Sequence, residues 1–325
     1  MKAILVKECG DSSVLQIEEA TKPTPGLGEV LIKMEFAGLN FIDVYFRKGI
    51  YKAPKLPFIP GKEGVGLIEE IGEGVNGWNV GDRVGFVNSK SGTYAEYCVE
   101  NESELLRVPQ GISPEVACAS MLQGMTAHYL ANSTYQIKKG DVALVHAASG
   151  GVGLLLCQMI SAKGGIAYGT VSTEEKKELA LKAGAKNIIL YKEDYSFLEE
   201  LMVFTENKKI DVVYDSIGEP TFRQGLKALR PRGLFVLFGQ SAGIVPPFNL
   251  NELNTYGSLF VTRPSLFHYT PTSEELNKRS KAVFHEILSK RLDVKVGQIF
   301  PFDKVALSHD ALEGRKTVGK TLIKI

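Results

Sequence analysis

The stretch Val142–Gly153, VALVHAASGGVG, constrains the fold of this chain more than any other. Four aliphatic residues typical of a buried strand come first, a turn of small residues follows, and the apolar segment LLLCQMISAKGG continues as a helix. In this order the backbone can approach a pyrophosphate, which the free N–H groups of the new helix bind. Ala148, Gly150 and Gly153 occupy the G-x-G-x-x-G positions, with alanine at the first. The stretch therefore predicts a dinucleotide-binding turn; the alternative is an ordinary strand-to-helix turn.

Length and charge limit the function classes. The chain has 325 residues, a net charge of +1 and 23% charged residues. A chain of this length exceeds a single core and predicts two domains. The balanced charge provides no overall field that would attract nucleic acid or a membrane surface. The N-terminal segment has charges within its short apolar run, and no apolar stretch reaches about 18 residues. We expect a cytoplasmic protein without a membrane span or a nucleic-acid partner.

The cysteines do not suggest a metal or disulfide framework. Cys9, Cys98, Cys118 and Cys157 are far apart and include no C-x-x-C pair. This spacing argues against a zinc ribbon, a redox pair and a disulfide scaffold. We expect small core residues or surface thiols.

The pattern of the chain changes near residue 111. Before this point, short apolar runs separated by Gly and Pro predict six or more strands of a barrel or sandwich. From Asp141 onward, strands alternate with helices up to SLFVTR, which predicts a parallel, doubly wound sheet. From about Pro264, a long amphipathic helix and short β segments return to complete the first domain. The predicted domains are residues 1–120 together with 265–325, and residues 121–264.

The end of the second strand in the nucleotide domain indicates the cofactor. NAD-preferring sites carry an acidic residue about 20 positions after the glycines. Here Gly169–Thr173 contains no carboxylate, and Lys176 and Lys177 follow within one helical turn. Hydroxyl groups and lysine suit a 2′-phosphate, which an acid would repel. The sequence therefore predicts NADP(H); the alternative for the lysines is an exposed helix face paired with Glu174 and Glu175.

Several motifs in order carry a resemblance to a known family. They are AGLNFIDVYFRKGIY, GDRV, HAASGGVG, VVYDSIG, GLFVLFGQSAG and GSLFVTRPSL, and they span nearly the whole chain. The chain resembles the medium-chain dehydrogenases/reductases, and within them the quinone oxidoreductase (zeta-crystallin) branch. This resemblance implies an α/β protein in which a chaperonin-10-like (GroES-like) β-barrel catalytic domain, made from both ends of the chain, accompanies a Rossmann domain with a doubly wound parallel sheet.

The sequence departs from the zinc-dependent members of that superfamily. Where those proteins have a histidine ligand after a glycine, this chain has Lys62 after Gly61. The short stretch between Gly81 and Tyr94 also lacks the cysteine-rich lobe that binds structural zinc in alcohol dehydrogenases. Four scattered cysteines cannot build either zinc site. We therefore expect a zinc-independent protein.

Without a Lewis acid, alcohol oxidation loses its usual means of stabilising an alkoxide. The resemblance then implies a cytoplasmic, zinc-independent NADPH:quinone reductase, an oxidoreductase acting on NADPH with a quinone acceptor. One alternative is an NADPH-dependent reductase of activated alkenes, such as enones and alkenals. A non-enzymatic NADPH- or RNA-binding role is a minor alternative, because no basic run is interleaved with aromatic residues. The resemblance and the run GSLFVTRPSL also predict a homodimer formed through the last Rossmann strand.

Candidate site residues follow from the fingerprint, the second strand and the resemblance. Asn40 and Tyr45 match positions near the nicotinamide, and Tyr51 lies on the same segment, so all three are candidate catalytic hydrogen-bond donors. For Asp43 the alternatives are a helix cap or a salt bridge to Arg47. For the whole segment of residues 40–51 the alternative is a surface helix that covers the barrel. His146 is expected to be hydrogen-bonded structurally. The expected cofactor-binding residues are Asn40, Phe41, Ile42, Asp43, Tyr45, Tyr129, Gly150, Gly151, Val152, Gly153, Ser172, Thr173, Lys176, Tyr191, Ser216, Phe238, Gly239, Gln240, Ser241, Val261, Arg263 and Arg315.

Overall fold

The computed structural model describes residues 1–53, 55–191 and 193–325. The chain forms two compact units. The first comprises Met1–Leu122 and Thr270–Ile325, and the second comprises Gln123–Tyr269. The limits expected from the sequence, at residues 120 and 264, lie slightly N-terminal to these. None of the helices in the described residues is long and apolar enough to cross a membrane.

The N-terminal part of the chain consists mainly of short strands, and strands alternate with helices in the part that follows. The strands are β1 (Lys2–Leu5), β2 (Gln16–Glu19), β3 (Glu29–Leu39), β4 (Glu63–Ile71), β5 (Arg83–Val87), β6 (Tyr97–Asn101), β7 (Leu106–Arg107), β8 (Val142–Val145), β9 (Ile166–Val171), β10 (Asn187–Leu190), β11 (Ile210–Asp215), β12 (Leu229–Leu237), β13 (Phe260–Thr262), β14 (Val296–Pro301) and β15 (Lys320–Lys324). The helices are α1 (Phe41–Arg47), α2 (Pro114–Tyr129), α3 (Gly151–Ala162), α4 (Glu174–Lys182), α5 (Leu198–Phe204), α6 (Glu219–Ala228), α7 (Asn251–Thr255), α8 (Ser273–Leu288) and α9 (Val305–Glu313).

The first unit is built on one large sheet, in the order β14-β15-β3-β4-β5-β7, with β6 also paired to β3. Strand β15 lies antiparallel to β3, so the C-terminal strand joins a sheet made mainly from the N-terminal part of the chain. Alternation along β3 places Val30, Ile32 and Met34 in one buried cluster with residues of β4 and β5. The C-terminal segment thus completes the core of this unit.

The structure contains a helix, α9, that was not predicted from the sequence. Only short β segments were expected after the long helix of the C-terminal segment. The helix spans Val305–Glu313 and buries Val305, Ser308 and His309. Because only one of these three is apolar, the segment has little hydrophobic periodicity of its own. Ser308 Oγ donates to Val305 O within the helix, whereas His309 bonds to Arg47 and Tyr94, contacts that a local pattern does not reveal.

The second unit contains a parallel sheet in the order β10-β9-β8-β11-β12-β13. Helices connect successive strands, as in a doubly wound fold whose first strand lies in the middle. Leu144, Val213 and Phe235 on neighbouring strands are fully buried in one cluster. The predicted α/β fold class, with a Rossmann-type sheet in the second unit and a β-rich first unit, is confirmed.

Removing packing from the central strand should destabilise the second unit. We expect Leu144→Ala to lower the free energy of unfolding by about 2–5 kcal/mol, since Leu144 is fully buried and a cavity remains. Urea unfolding followed by circular dichroism measures the change. The control, Leu181→Ala on α4, removes a side chain that is 39% exposed and should cost about 0.5 kcal/mol or less. Equal effects of the two substitutions would contradict the assigned core.

Candidate active site

Helix α1 begins directly after the long strand β3. The backbone N–H of Asn40 donates to Asp43 Oδ2 at 2.9 Å, which is one half of a capping box. Asp43 therefore acts as a helix cap, one of the two alternatives considered for it. The other alternative, a salt bridge to Arg47, is wrong, because Arg47 Nη2 instead pairs with Glu313 Oε2 at 2.6 Å.

The side chain of Asn40 is held by a buried ion pair. Lys320 Nζ contacts Glu63 Oε2, and both side chains have at most 1% exposure. Asn40 Oδ1 accepts from Lys320 Nζ at 2.7 Å, and Asn40 Nδ2 donates to Glu63 Oε2 at 3.0 Å and to Gly38 O at 3.1 Å. Both amide hydrogens are thus engaged. The donor role expected for Asn40 would require one of them to be released; in this arrangement Asn40 positions the start of α1.

The Glu63–Lys320 pair was missed in the sequence. Glu63 Oε1 also accepts from the backbone N–H of Leu122 at 2.6 Å, so both carboxylate oxygens are satisfied. A Cβ at Gly38 would lie 2.4 Å from Glu63 Oε2, which explains the glycine there. The sequence offered one signal for this pair: Glu63 and Lys320 each begin an apolar strand. A charge buried in such a strand requires a partner of opposite charge.

The predicted tyrosines lie together. The rings of Tyr45 and Tyr51 are 5.1 Å apart with an edge-to-face arrangement, and the Phe46 and Tyr51 rings are 5.8 Å apart. Phe41 lies 6.1 Å from Tyr45, while Ile42 is half-buried on the same helix. Helix α1 buries Asp43, Val44, Tyr45 and Arg47, so the alternative of a surface helix covering the barrel is wrong.

Lys62 is the residue that the resemblance places at the position of a zinc-binding histidine. Its Nζ donates to Ser89 O at 2.7 Å and lies 5.1 Å from the centre of the Phe46 ring. Burial lowers the pKa of Lys62, while Asp43 and Glu100 act in the opposite direction. Among the described residues, no group of three or more His, Cys, Asp or Glu side chains could hold a metal ion.

Asp43 belongs to a buried polar network. Tyr94 OH lies 3.4 Å from Asp43 Oδ2 and 3.2 Å from His309 Nε2, and Arg47 Nη1 lies 3.2 Å from His309 Nδ1. Because arginine can only donate, His309 Nδ1 accepts, which places the ring proton on Nε2 and directs it toward Tyr94. Burial lowers the pKa of His309 to about 3 and raises the pKa of Asp43 to about 7.

The glycine turn of the second unit has the predicted strand–turn–helix order. Strand β8 ends at Val145, and α3 begins at Gly151, with Gly150 in extended conformation before it and Val152 in its first turn. A Cβ at Gly153 would lie 2.4 Å from Ala147 O and 2.7 Å from Ala148 Cα. Only glycine permits this close contact between helix and turn. The first backbone N–H groups of α3 have no carbonyl partner within a helix and can bind an anion.

The candidate residues that follow strand β9 lie close together. Thr173 Oγ1 accepts from the backbone N–H of Lys176 and so caps α4. Lys176 Nζ lies 3.2 Å from Ser172 Oγ, whereas Lys177 Nζ pairs with Glu174 at 3.4 Å. The exposed-face alternative therefore describes Lys177, and Ser172, Thr173 and Lys176 form a cluster of hydroxyls and an ammonium.

His146 contacts Thr170 of β9 and also Tyr191. Its Nδ1 lies 3.0 Å from Thr170 Oγ1 and also contacts the hydroxyl of Tyr191, whose ring is nearly parallel to the imidazole. Burial lowers the pKa of His146, which keeps the ring neutral. His146 is hydrogen-bonded structurally, as expected.

The remaining candidates of the second unit follow the next strands. Ser216 comes after β11 and Phe238 after β12; Phe238 N donates to Asp215 O at 2.8 Å and Ser241 N donates to Ser216 O at 3.0 Å. Carboxyl ends of parallel strands meet at one sheet edge, which is where such folds bind ligands. The other positions are as follows: Gly239 and Gln240 lie between Phe238 and Ser241, Val261 lies in β13, Arg263 follows it, and Tyr129 stacks on Tyr269 at 4.3 Å. Arg315 follows α9 in the first unit.

The buried Asp43 carboxyl predicts a pH-dependent stability. Its pKa is about 7 in the folded chain against an ordinary 3.8, so the folded state binds the proton more tightly. The stabilisation is complete below about pH 4 and is lost as the pH rises through about 7. Asp43→Asn keeps an acceptor for the Asn40 N–H without the charge. We expect the stability of this variant relative to the unsubstituted protein to increase from pH 5 to pH 8, by at most a few kcal/mol.

Urea midpoints measured across this pH range test that expectation. Asp303→Asn, which changes a largely exposed carboxylate of the same unit, is the control and should show no such trend. A constant difference between Asp43→Asn and the unsubstituted protein would show that Asp43 stays ionised throughout.

Comparison with known proteins agrees with this arrangement. Residues 26–151 match the alcohol dehydrogenase GroES-like domain, and residues 151–275 match the zinc-binding dehydrogenase family. Quinone oxidoreductase 1 of Escherichia coli (strain K12) is 42% identical over 316 residues, which cover 97% of this chain and 96% of that protein. A 2-haloacrylate reductase of Burkholderia sp is 36% identical over 329 residues, covering 99% of this chain and 98% of that protein.

A solved structure extends the similarity to three dimensions. The crystal structure of Escherichia coli quinone oxidoreductase complexed with NADPH matches with a TM-score of 0.97 and 41% identity, and the match covers 100% of both chains. The two domain matches, in the order seen here, and these relatives of nearly equal length show that the chain belongs to the quinone oxidoreductase branch of the medium-chain dehydrogenase/reductase family.

Proposed function

We propose that this protein is an NADPH:quinone oxidoreductase that acts without a metal. The observation that carries the proposal is the likeness over the whole chain to a quinone oxidoreductase solved with NADPH. The substrate is accordingly a small molecule with an electron-poor conjugated carbonyl.

The second unit offers groups that fit NADPH. The N-terminus of α3 would hold the pyrophosphate through backbone N–H groups, because the glycines leave room for it. Ser172, Thr173 and Lys176 offer donors for a 2′-phosphate, and the strand end carries no carboxylate that would repel it. Tyr191, beside His146, would lie on the adenine side. When bound, the dihydronicotinamide supplies a hydride.

The first unit offers donors to the acceptor. The hydroxyls of Tyr45 and Tyr51 are neutral donors on adjacent rings, suited to the carbonyl oxygen on which negative charge develops. Lys62 stands at the position of the zinc ligand, so charge stabilisation is assigned to side chains rather than to a metal. Quinones and activated alkenes accept electrons readily enough for such donors to suffice, whereas alcohol oxidation is not favoured.

A reductase of activated alkenes is the second candidate, favoured by the similarity to a 2-haloacrylate reductase. Consumption of NADPH measured in parallel with a quinone and an enone separates the two, with an alcohol and NADP+ as the third assay. We expect the highest kcat/KM with the quinone. A higher value with the enone would favour the alternative, and rapid alcohol oxidation would overturn the proposal. Absence of all three activities would favour a binding role.

Lys176 should determine the preference for NADPH. We expect Lys176→Ala to raise the KM for NADPH by roughly 10- to 100-fold, through loss of about 1.5–3 kcal/mol of charge-assisted hydrogen bonding. The kcat should survive, because this contact is equal in ground and transition states. NADH lacks the phosphate, so its kinetics should hardly change.

Lys177→Ala is the matched control for Lys176→Ala. Lys177 is the next residue of α4 and pairs with Glu174, so its removal should leave both cofactors' kinetics unchanged. If Lys176→Ala weakened NADH and NADPH equally, Lys176 would be structural or would contact the shared pyrophosphate.

Strand β13 supports the predicted homodimer. It pairs with β12 on one side and is the edge strand of the sheet, and its Phe260 is 61% exposed. An edge strand with an exposed aromatic residue can pair with its own copy across a two-fold axis and extend the sheet. We propose this pairing as the dimer interface.

Sedimentation at micromolar concentration tests the interface. We expect a dimer for the unsubstituted protein and a monomer for Phe260→Lys, because a charge on the edge opposes pairing. Val203→Lys on α5 changes another exposed apolar residue, 73% exposed, and should remain a dimer. A monomeric unsubstituted protein would contradict the proposal.

A further inference from the structure

Lys62 is held at a fixed place by the segment on either side of it. Thr93 N and Tyr94 N both donate to Pro60 O at 3.0 Å. Gly61 has φ +96, and a Cβ there would lie 2.1 Å from Thr93 Oγ1, so the segment passes against these residues without room for a side chain. Ser89 N donates to Lys62 O at 3.2 Å, and Lys62 Nζ donates back to Ser89 O at 2.7 Å. Backbone and side chain of Lys62 are thus both anchored.

The ammonium of Lys62 lies over Phe46, the ring that contacts the candidate tyrosine Tyr51. It is 5.1 Å from the Phe46 ring, and that ring packs edge-to-face on Tyr51, which in turn packs on Tyr45. Within the described residues, Ser89 O is the one acceptor bonded to Lys62 Nζ. An ammonium carries three donors, so two remain for a ligand. The side chain is partly exposed, which leaves the group accessible.

Two buried carboxyls flank this ammonium without forming an ion pair. Asp43 lies on α1, and its Oδ1 is buried without a hydrogen-bond partner in the described part of the chain. Glu100 lies on β6, where it accepts from the hydroxyls of Ser89 and Ser91. Burial raises the pKa of each carboxyl to about 7 and lowers the pKa of Lys62. Titratable groups whose pKa values are strongly shifted by burial are common at catalytic sites.

We propose that Lys62 is a catalytic residue that binds the carbonyl oxygen of the acceptor and donates a proton to it, with Glu100, which accepts from Ser89, as a positioning carboxyl. This inference rests on the proposed reductase function and names the group that replaces the metal. Its ammonium provides the positive charge that a metal provides in zinc-dependent relatives, and it also carries a transferable proton.

The step balances with the proposed co-substrates. Hydride from NADPH brings two electrons to the quinone, which becomes the hydroquinone monoanion. One N–H bond of the Lys62 ammonium breaks as an O–H bond forms, giving hydroquinone and a neutral amine. A proton from solvent restores the ammonium. The sum is NADPH, quinone and one proton giving NADP+ and hydroquinone.

Binding of a phenolate provides a readout that does not depend on turnover. The probe is 4-nitrophenol, whose anion imitates the hydroquinone monoanion and has its own absorption band, added to protein saturated with NADP+. We expect Lys62→Met to weaken phenolate binding at least tenfold and to leave the affinity for NADP+ unchanged. Lys90→Met removes an exposed lysine next to Ser89 and should change neither.

Kinetics separate charge from proton donation. Lys62→Met should lower kcat with the quinone by about a hundredfold and abolish the alkaline limb of its pH profile. Lys62→Arg keeps the charge but cannot give up a proton in this range, so phenolate binding should persist while kcat stays low. Full activity of Lys62→Arg would overturn proton donation, and unchanged phenolate binding in Lys62→Met would overturn the contact.

Glu100→Gln tests the site without changing Lys62. Removing this negative charge should move the alkaline limb of kcat to lower pH, which loss of packing alone would not do. An unmoved limb would overturn the positioning role of Glu100. If the unsubstituted protein failed to reduce any quinone or enone, the proposed function would fail, whereas Lys62-dependent phenolate binding would still be measured separately.

Discussion

The buried ion pair between Glu63 and Lys320 determines the arrangement of the first unit. A carboxylate and an ammonium without solvent contact are tolerated only when each is paired and its remaining hydrogen bonds are satisfied. Here Asn40 bonds to both groups, and Leu122 N takes the second carboxylate oxygen. Removing one partner would leave an isolated buried charge, so the elements that carry them are held in one register.

The ion pair also positions the residues of the candidate site, beginning with Asn40. Asn40 begins α1, and Asp43 completes the cap three residues later. One face of α1 then buries Arg47 against His309 and Glu313 of α9, which fixes the helix along its length. The aromatic residues of the same segment, Tyr45 and Tyr51, are thereby placed beside each other. The site thus depends on polar contacts in the interior rather than on loops alone.

The sequence predicted the second unit well because its signals are local. A buried strand, a glycine turn and an apolar helix in succession specify a Rossmann unit without knowledge of distant residues. The cluster of Ser172 and Lys176 was also predictable, since both lie within one helical turn of a strand end. By contrast, Glu63 and Lys320 are 257 residues apart, and nothing near either indicates the other.

Other parts of the first unit were missed for the same reason. Helix α9 buries the polar residues Ser308 and His309 as well as Val305, so its apolar pattern is weak. The engagement of Asn40 could not be foreseen, because it depends on Lys320 in the last strand. The cofactor contacts of the candidate residues, the homodimer and the cytoplasmic location stay predictions.

The central claim is that side chains, not a metal, support reduction of a quinone by NADPH. Rapid mixing of the protein–NADPH complex with a quinone, after exhaustive dialysis against a chelator and metal analysis of the sample, tests it most directly. The account predicts oxidation of NADPH in a single turnover at the same rate before and after dialysis, with no stoichiometric zinc. Loss of the reaction on dialysis and its return on addition of zinc would contradict the account.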